Sequence, residues 1–492
     1  MAERGVVAAG HPLTARAGAE LLRAGGNAVD AALAAVLASV VAEPLLTGLG
    51  AGGYLLVAPP GEQPVLVDFF VEAPGRGVDP ADRAPLLPVQ ISYGDAVQVF
   101  HVGAASCGVF GVPAGVARVA ERFGTAPLAE LVAPAVRLAR GGVRVTSQQA
   151  DVFTVLAGIV ESSPEARACY LVDGRLPREG DLLREPGLAD SLDRLGTEGA
   201  APFYTGDIGA AVADWVRQRG GTLTRDDLAA YRVAQRQPVR AGYRGREVYT
   251  NPPPSAGGLL LAYALTLLAG TAGPPGPQAL VRAMRSAQEA RTPEFFDGLA
   301  VPGFGAGFLA NRLGSTTHIS VLDTEGWACA VTCSNGEGSG LVVPGTGIHV
   351  NNMMGEQDLS PQGFFTHPPG ARLPSMMAPT VLVRNGVAEL VLGSAGANRI
   401  RSALLQVIVN AIDGEMDAQP AVDAPRLHAE DGLVYVEPGI DVAALTAAGH
   451  PVTRFRAQNM FFGGCQAVER TRGTGELSGG GDPRRGGAVV VV

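Results

Sequence analysis

Residues that could do chemistry concentrate in one stretch of this sequence, "GSTTHISVLDTEGWACAVTCSNGEGSG" (314–340). It opens with Gly314-Ser315, then Thr316, Thr317 and His318, and only afterwards alternates like a strand. Strand periodicity puts Thr317, Ile319 and Val321 on one face and Thr316, His318 and Ser320 on the other. The "DTEG" turn at 323–326 sends "WACAVTCS" back antiparallel, so Ser334 or its neighbour returns beside Thr316. A threonine hydroxyl is a poor nucleophile unless a base is close. The chain has no lysine, all 38 basic residues being arginine, so a primary amine can come only from a chain terminus. A cut between Ser315 and Thr316 would provide one, the α-amino group of Thr316 itself, with a pKa of roughly 7.7–8.0. The same threonines would also serve as plain β-formers entering a strand, and these residues alone do not choose between the two.

The rest of the composition narrows the field. At 492 residues, 47% apolar and only 17% charged, with 67 Gly and 36 Pro, this is a globular chain rich in turns. A formal charge of −9 and the lack of any basic run argue against a nucleic-acid partner and against an anionic membrane surface. The longest apolar runs, 31–42 and 259–269, are short for a membrane span and read as buried helices. No secretory signal is evident at the amino terminus, and the five cysteines are odd in number and scattered, which together predict a cytoplasmic protein. Cys329 and Cys333 share a strand face and read as small core residues.

The elements that must position the site fall into a pattern. Thr14–Arg23 and Val29–Val41 read as helices, the second buried nearly all round, followed by a glycine loop and a returning pair of strands to about residue 70. The middle, 108–235, is mostly helical. Residues 246–258 form a strand and a rigid turn before another buried helix, and 271–316 read as a weakly patterned surface connection. From 316 the chain becomes largely β, with "RSALLQVIVNAIDG" as its principal helix. Stacked sheets covered by helices are the expected α/β architecture.

Several chemistries fail on order or spacing. Gly48 to Gly53 matches G-x-G-x-x-G but follows a helix and precedes a strand, the reverse of a dinucleotide site, and is better read as a backbone-crowded turn. The seven histidines contain no pair at metal-ligand spacing, and no G-x-S-x-G elbow occurs. No cofactor is expected.

The 314–340 stretch resembles the start of the small subunit in the gamma-glutamyltranspeptidase family of amino-terminal-nucleophile hydrolases. The likeness extends over most of the chain. "LRAGGNAVDAALAAVLASVVAEPLLTGLGAGGYLLV" (22–57), 111–142, "PPPSAGG", "LPSMMAPT" (373–380), "LGSAGANRI" (392–400) and "DAPRLH" (423–428) follow in the family's order. The resemblance implies an αββα sandwich made as a precursor and cut at Ser315–Thr316 into portions 1–315 and 316–492, which stay together as one interwoven unit. It implies Thr316 as nucleophile, Ser334 where the family has a second threonine that steadies it, and the amides of Gly396 and Ala397 as the oxyanion hole.

The departures lie at the substrate end. The family's D-F-R-E arginine, which clamps a glutamyl carboxylate, is replaced by Phe70 in Asp68-Phe69-Phe70-Val71. Its serine pair becomes Ser375 and Met376. The asparagine expected after Ser334 is Gly336, with Asn335 adjacent, and the polar pair that holds the amino group becomes Met353 and Glu356, next to Asn352. Arg76 and Arg372 are the arginines that could reach the site instead, although each suits a structural role as well. The expectation is an amidohydrolase or acyltransferase acting on a small amide or peptide whose acyl group is not a standard γ-glutamyl unit, with Phe70, Met353 and Met376 suiting a less charged chain. Its rivals are true γ-glutamyl transfer, as in a glutathione hydrolase, and a non-catalytic binding module.

Overall fold

The computed structural model describes residues 3–92, 97–289, 292–299, 317–360, 363–430 and 432–492. Ser315 and Thr316 lie outside the described residues. Two antiparallel sheets carry the molecule. The first runs in the order Ala488–Val491, Gly5–Ala9, Thr317–Asp323, Ala328–Ser334, Gly52–Ala58, Val65–Phe69, Ala234–Arg236. The second runs Leu477–Gly481, Gly464–Arg470, Val387–Ala395, Thr380–Arg384, Arg246–Thr250, Val239–Tyr243. Each sheet therefore holds strands from before and after position 316: in the first, Gly5–Ala9 lies between two later strands, and in the second the two groups meet at Thr380–Arg384 and Arg246–Thr250.

Alternating side chains build the layers. Val6, Ala8, Leu56, Leu66 and Leu322 of the first sheet face Val381, Val391 and Val468 of the second in one buried cluster. The opposite face of the first sheet, with Val7, Leu55, Val57, Ile319, Val321 and Val331, packs against helices Pro12–Ala24, Ala28–Ala42 and Val112–Phe123. The outer face of the second sheet, with Val248, Leu382, Leu390 and Leu392, packs against helices Gly257–Ala269, Pro277–Glu289 and Arg399–Ile412. The result is helix, sheet, sheet, helix.

The central helix, Ala28–Ala42, is buried along its whole length. Its Ala-rich composition lets neighbours approach on every side, and Asn27 with Asp30 forms a capping box at its start. Its end is Glu43, whose amide donates to the Ser39 carbonyl at 2.7 Å. The glycine loop after it is crowded by backbone, as expected. A Cβ on Gly50 would stand 2.4 Å from the His349 oxygen, and one on Gly53 would stand 2.6 Å from the Thr332 oxygen.

One expectation is overturned. Within the stretch expected to be a weakly patterned surface connection, Pro277–Glu289 is a 13-residue helix that buries Leu280, Val281, Met284 and Ala287 against the second sheet's helix layer.

Candidate active site

The hairpin expected from the sequence forms in the expected register: Thr317 pairs with Cys333, Ile319 with Val331 and Val321 with Cys329. Ser334 follows Cys333 and pairs with Gly52 on the other side. Cys329 and Cys333 are buried on the helix-facing side, where desolvation pushes both thiols well up. Thr317 also points to the helix layer, and its hydroxyl donates to Glu43 Oε2 at 2.8 Å.

His318 points the other way, between the sheets, and is wholly enclosed. Its Nδ1 lies 2.7 Å from Thr332 Oγ1 and its Nε2 lies 2.9 Å from Ser320 Oγ. Ser320 spends its one proton on the Gln466 carbonyl at 3.1 Å, so Nε2–H must donate to Ser320 and Nδ1 must accept from Thr332. That exhausts both ring nitrogens in the neutral form. Burial holds the imidazole at a pKa of about 3, in agreement. The ring has its place because residue 393 is glycine, where a Cβ would come within 2.2 Å of it. His318 is a structural pin between the sheets and has no lone pair left to act as a base.

Beyond Gly393 the same strand ends at Ala395 and leads through Gly396, Ala397 and Asn398 into the helix Arg399–Ile412. The first amides of a helix lack intrahelical partners and sit at its positive end, which suits an anion. Gly396 has φ +120° and a Cβ there would stand 2.6 Å from the Gly463 Cα. Ala397 takes φ +54°, a left-handed conformation that costs an alanine about 1–2 kcal/mol. Asn398 Nδ2 donates to Glu430, which also lies 3.2 Å from His428 Nε2, so the residue after Ala397 is tethered.

The segment after Ser334 is tightly wired. Ser334 Oγ accepts the Gly336 amide at 2.8 Å, and the Asn335 amide donates to the Leu46 carbonyl at 3.1 Å. Asn335 Nδ2 reaches the His349 oxygen at 3.3 Å. Gly336 has φ +64°, and its missing side chain would meet Asn352 Oδ1 at 2.0 Å and Glu356 Oε1 at 2.8 Å. Asn352 Oδ1 instead accepts the amides of Glu337 (3.0 Å) and Gly338 (3.2 Å). Asn335, Gly336, Asn352 and Glu356 are thus brought together as one buried corner.

The remaining residues of the expected substrate end are in the core. Phe70 is fully buried between the sheets and stacks on Tyr54, with ring centroids 5.2 Å apart. Met353 is buried in the same cluster. Met376 belongs to the second sheet's outer cluster, and Ser375 is buried with its hydroxyl accepting the Met377 amide at 3.1 Å. Arg76 pairs with Asp227 at 3.1 Å. Arg372 lies 3.5 Å from Asp68 and 3.3 Å from Glu72, donates to the Phe70 carbonyl, and sits 4.8 Å above the Tyr231 ring. Its guanidinium is held by protein groups, so the apolar replacements and the nearby arginines read here as packing.

Sequence reasoning missed Glu43, His11 and Arg485. Glu43 accepts Thr14 Oγ1 at 2.9 Å as well as Thr317, and burial raises its pKa against the field of Arg485. These residues line a cavity with Gly10, Leu45, Leu46, Val152, Phe153 and Met460. Glu43, His11 and Arg485 come from three distant places in the chain, and no local pattern marks them.

Comparison with known proteins accounts for this assembly. The family profile described as Gamma-glutamyltranspeptidase matches residues 14–302 and 304–492. The Acylase ACY 1 proenzyme of Pseudomonas sp. (strain SE83) is 34% identical over 492 residues, an alignment spanning 92% of this chain and 88% of that protein. The Glutathione hydrolase proenzyme of Escherichia coli is 31% identical over 540 residues, spanning 98% of this chain and 91% of that protein. The crystal structure of cephalosporin acylase from Bacillus halodurans superposes with a TM-score of 0.85 at 28% identity, covering 99% of this chain and 96% of that one. Four layers in the order helix, sheet, sheet, helix are the architecture of the amino-terminal-nucleophile hydrolases, and with a match along its whole length this chain is an enzyme of the gamma-glutamyltranspeptidase family.

Proposed function

We propose that the protein is a self-processing amidohydrolase or acyltransferase that uses Thr316 as nucleophile on an acyl group other than γ-glutamyl. Cleavage of the Ser315–Thr316 bond frees the Thr316 amine, leaving portions 1–315 and 316–492 as a non-covalent pair. That amine takes the Thr316 hydroxyl proton as the oxygen attacks the substrate's amide carbonyl. The amides of Gly396 and Ala397 hold the resulting oxyanion. Collapse breaks the C–N bond, the proton passes to the departing amine, and an ester on Thr316 remains. Water or an acceptor amine attacks the ester, releases the acid or new amide, and returns the proton to Thr316. Ser334 steadies the nucleophile's surroundings.

The single observation that carries this reading is the junction of the Thr317–Asp323 strand with the Gly396–Ala397 helix entry, bridged by His318 against Gly393. The burial of Phe70, Ser375 and Met376 supports a departure from γ-glutamyl donors. A cytoplasmic location belongs to the same proposal, motivated by the scattered cysteines, and cell fractionation tests it. The decisive experiment is intact mass and amino-terminal sequencing of the purified protein beside Thr316→Ala. Two fragments, the smaller starting at Thr316, and an uncut mutant are expected. An uncut wild-type chain that hydrolyses no amide would overturn the reading in favour of a binding module.

A further inference from the structure

The geometry points to the cavity between Glu43 and Phe153 as the acyl-binding pocket, shaped for an uncharged aromatic or branched aliphatic acyl group. This deepens the proposed function and rests on it. The empty volume, with the open mouth and the solvent in it included, is about 550 Å³.

Three separate links tie this cavity to the reaction centre. Glu43, in its wall, accepts the hydroxyl of Thr317, the residue bonded to Thr316. Leu46, also in its wall, accepts the amide of Asn335, which follows Ser334. Arg485 Nη2 lies 3.6 Å from where a Cβ on Gly396 would be, and it donates to the Met460 carbonyl at 3.3 Å. Residues of the cavity wall therefore contact the strand after Thr316, the Ser334 turn and the loop at Gly396. Gly10 keeps it open, since a Cβ there would stand 2.6 Å from Glu43 Oε2 and 3.3 Å from Thr317 Oγ1.

The lining sets the chemical class. Leu45, Leu46, Val152, Phe153 and Met460 make its walls apolar. The helix Ser147–Val155, capped by Thr146 and Gln149, presents Val152 and Phe153 to it. Among the described residues of the lining the one cation is Arg485, whose charge acts on the Glu43 carboxyl, so a glutamyl α-carboxylate would find no uncompensated charge. His11 is buried, and burial holds it neutral with a pKa of about 4. Its Nδ1 accepts the Leu13 amide at 3.1 Å, and a hydrogen bond with the Gln149 side chain partly offsets the burial. At the expected γ-glutamyl end, Asn352 and Glu356 occupy the volume that a side chain at Gly336 would take.

The test uses full-length protein, a series of p-nitroanilides (acetyl, isovaleryl, phenylacetyl, γ-glutamyl) and calorimetric titration with phenylacetate. Val152 is half-buried, so Val152→Trp fills the cavity from its rim without burdening the core. Phenylacetyl and isovaleryl amides should exceed γ-glutamyl by at least tenfold in kcat/KM. Val152→Trp should lower the phenylacetyl value tenfold or more, mainly through KM, and abolish phenylacetate binding. Phenylacetate binding that is absent from wild type, or unchanged by Val152→Trp, overturns the pocket, as does a γ-glutamyl preference. A chain that stays uncut yet binds phenylacetate in a Val152-dependent way sinks the proposed function alone and upholds the pocket.

Discussion

Glu43 and Thr317, 274 positions apart in the chain, meet at 2.8 Å, carboxylate to hydroxyl, where the central helix ends and the Thr317–Asp323 strand begins. Thr14 adds a second hydroxyl to the same carboxyl at 2.9 Å. The helix layer thereby fixes the height of the strand end to which Thr316 is attached. Glu43→Ala should cost about 1–3 kcal/mol through the orphaned buried hydroxyls, and it should slow self-cleavage at least tenfold. Glu43→Gln should recover most of both. Urea melts and a mass-spectrometric time course of cutting measure the two effects, and normal cutting in Glu43→Ala would disconnect this carboxyl from the site.

Replacing Phe70 with the family's arginine should fail to restore a γ-glutamyl clamp. The side chain is enclosed between the sheets against Tyr54. A charge introduced there lacks a partner and should cost about 3–5 kcal/mol. Denaturant titration of Phe70→Arg and a γ-glutamyl amide assay check this. A stable variant with gained γ-glutamyl activity would show that position 70 borders the substrate.

Arg372 separates the same alternatives from the opposite side. Its guanidinium answers Asp68 and Glu72, both buried. Arg372→Met should destabilise by about 3–5 kcal/mol because Glu72 loses its ion-pair partner and Asp68 keeps only Arg236, at 2.6 Å, while KM for the preferred amide stays within threefold. A raised KM in a protein of normal stability would make Arg372 a substrate contact.

Ala397 holds its amide in place with a strained backbone. Ala397→Gly should relieve that strain and stabilise by about 0.5–1 kcal/mol after the added freedom of the unfolded chain is subtracted. Since the proposed donor is the backbone N–H, kcat should remain within a few-fold. Thermal melts and steady-state kinetics on the one variant read both quantities.

Glu185 gives a pH signature unrelated to catalysis. Burial raises its pKa from 4.5 to about 8, partly offset by the Cys169 thiol 3.6 Å away. Between these values the unfolded chain releases the proton and the folded chain keeps it, so rising pH favours unfolding. Glu185→Gln has no such proton. Its stability relative to wild type should climb from about pH 5 to about pH 8 and then level off. Paired melts across that range test the sign, and a flat difference would show an ordinary carboxyl.

Much of this site was legible because its central piece is local. The turn at 323–326 and strict alternation fix the register that places Ser334 after the partner of Thr317, and the crowded glycines at 50 and 53 announced a tight approach. The helix Pro277–Glu289 was obscured by the Gly- and Pro-rich segment before it, although Leu280, Val281, Met284 and Ala287 keep helical spacing. Phe70 and Met376 showed a different limit. An apolar residue where a relative carries a polar one reads the same whether it lines a pocket or fills a core, and only burial distinguishes them. Glu43, His11 and Arg485 meet through tertiary closure, which leaves no periodic trace.

The alternation of strands within the first sheet has a consequence for the order of events. Thr317–Asp323 lies between Gly5–Ala9 and Ala328–Ser334, and Gly52–Ala58 follows next, so the two sides of position 316 are laced through one hydrogen-bonded ladder. An intact chain closes that ladder as a single molecule. Two separate pieces would have to find each other while each exposed unpaired strand edges, a search that depends on concentration and competes with aggregation. The precursor thus acts as its own assembly template, used once: after the cut the enzyme's survival is set by how slowly it opens, because the covalent link that guided its closing is gone.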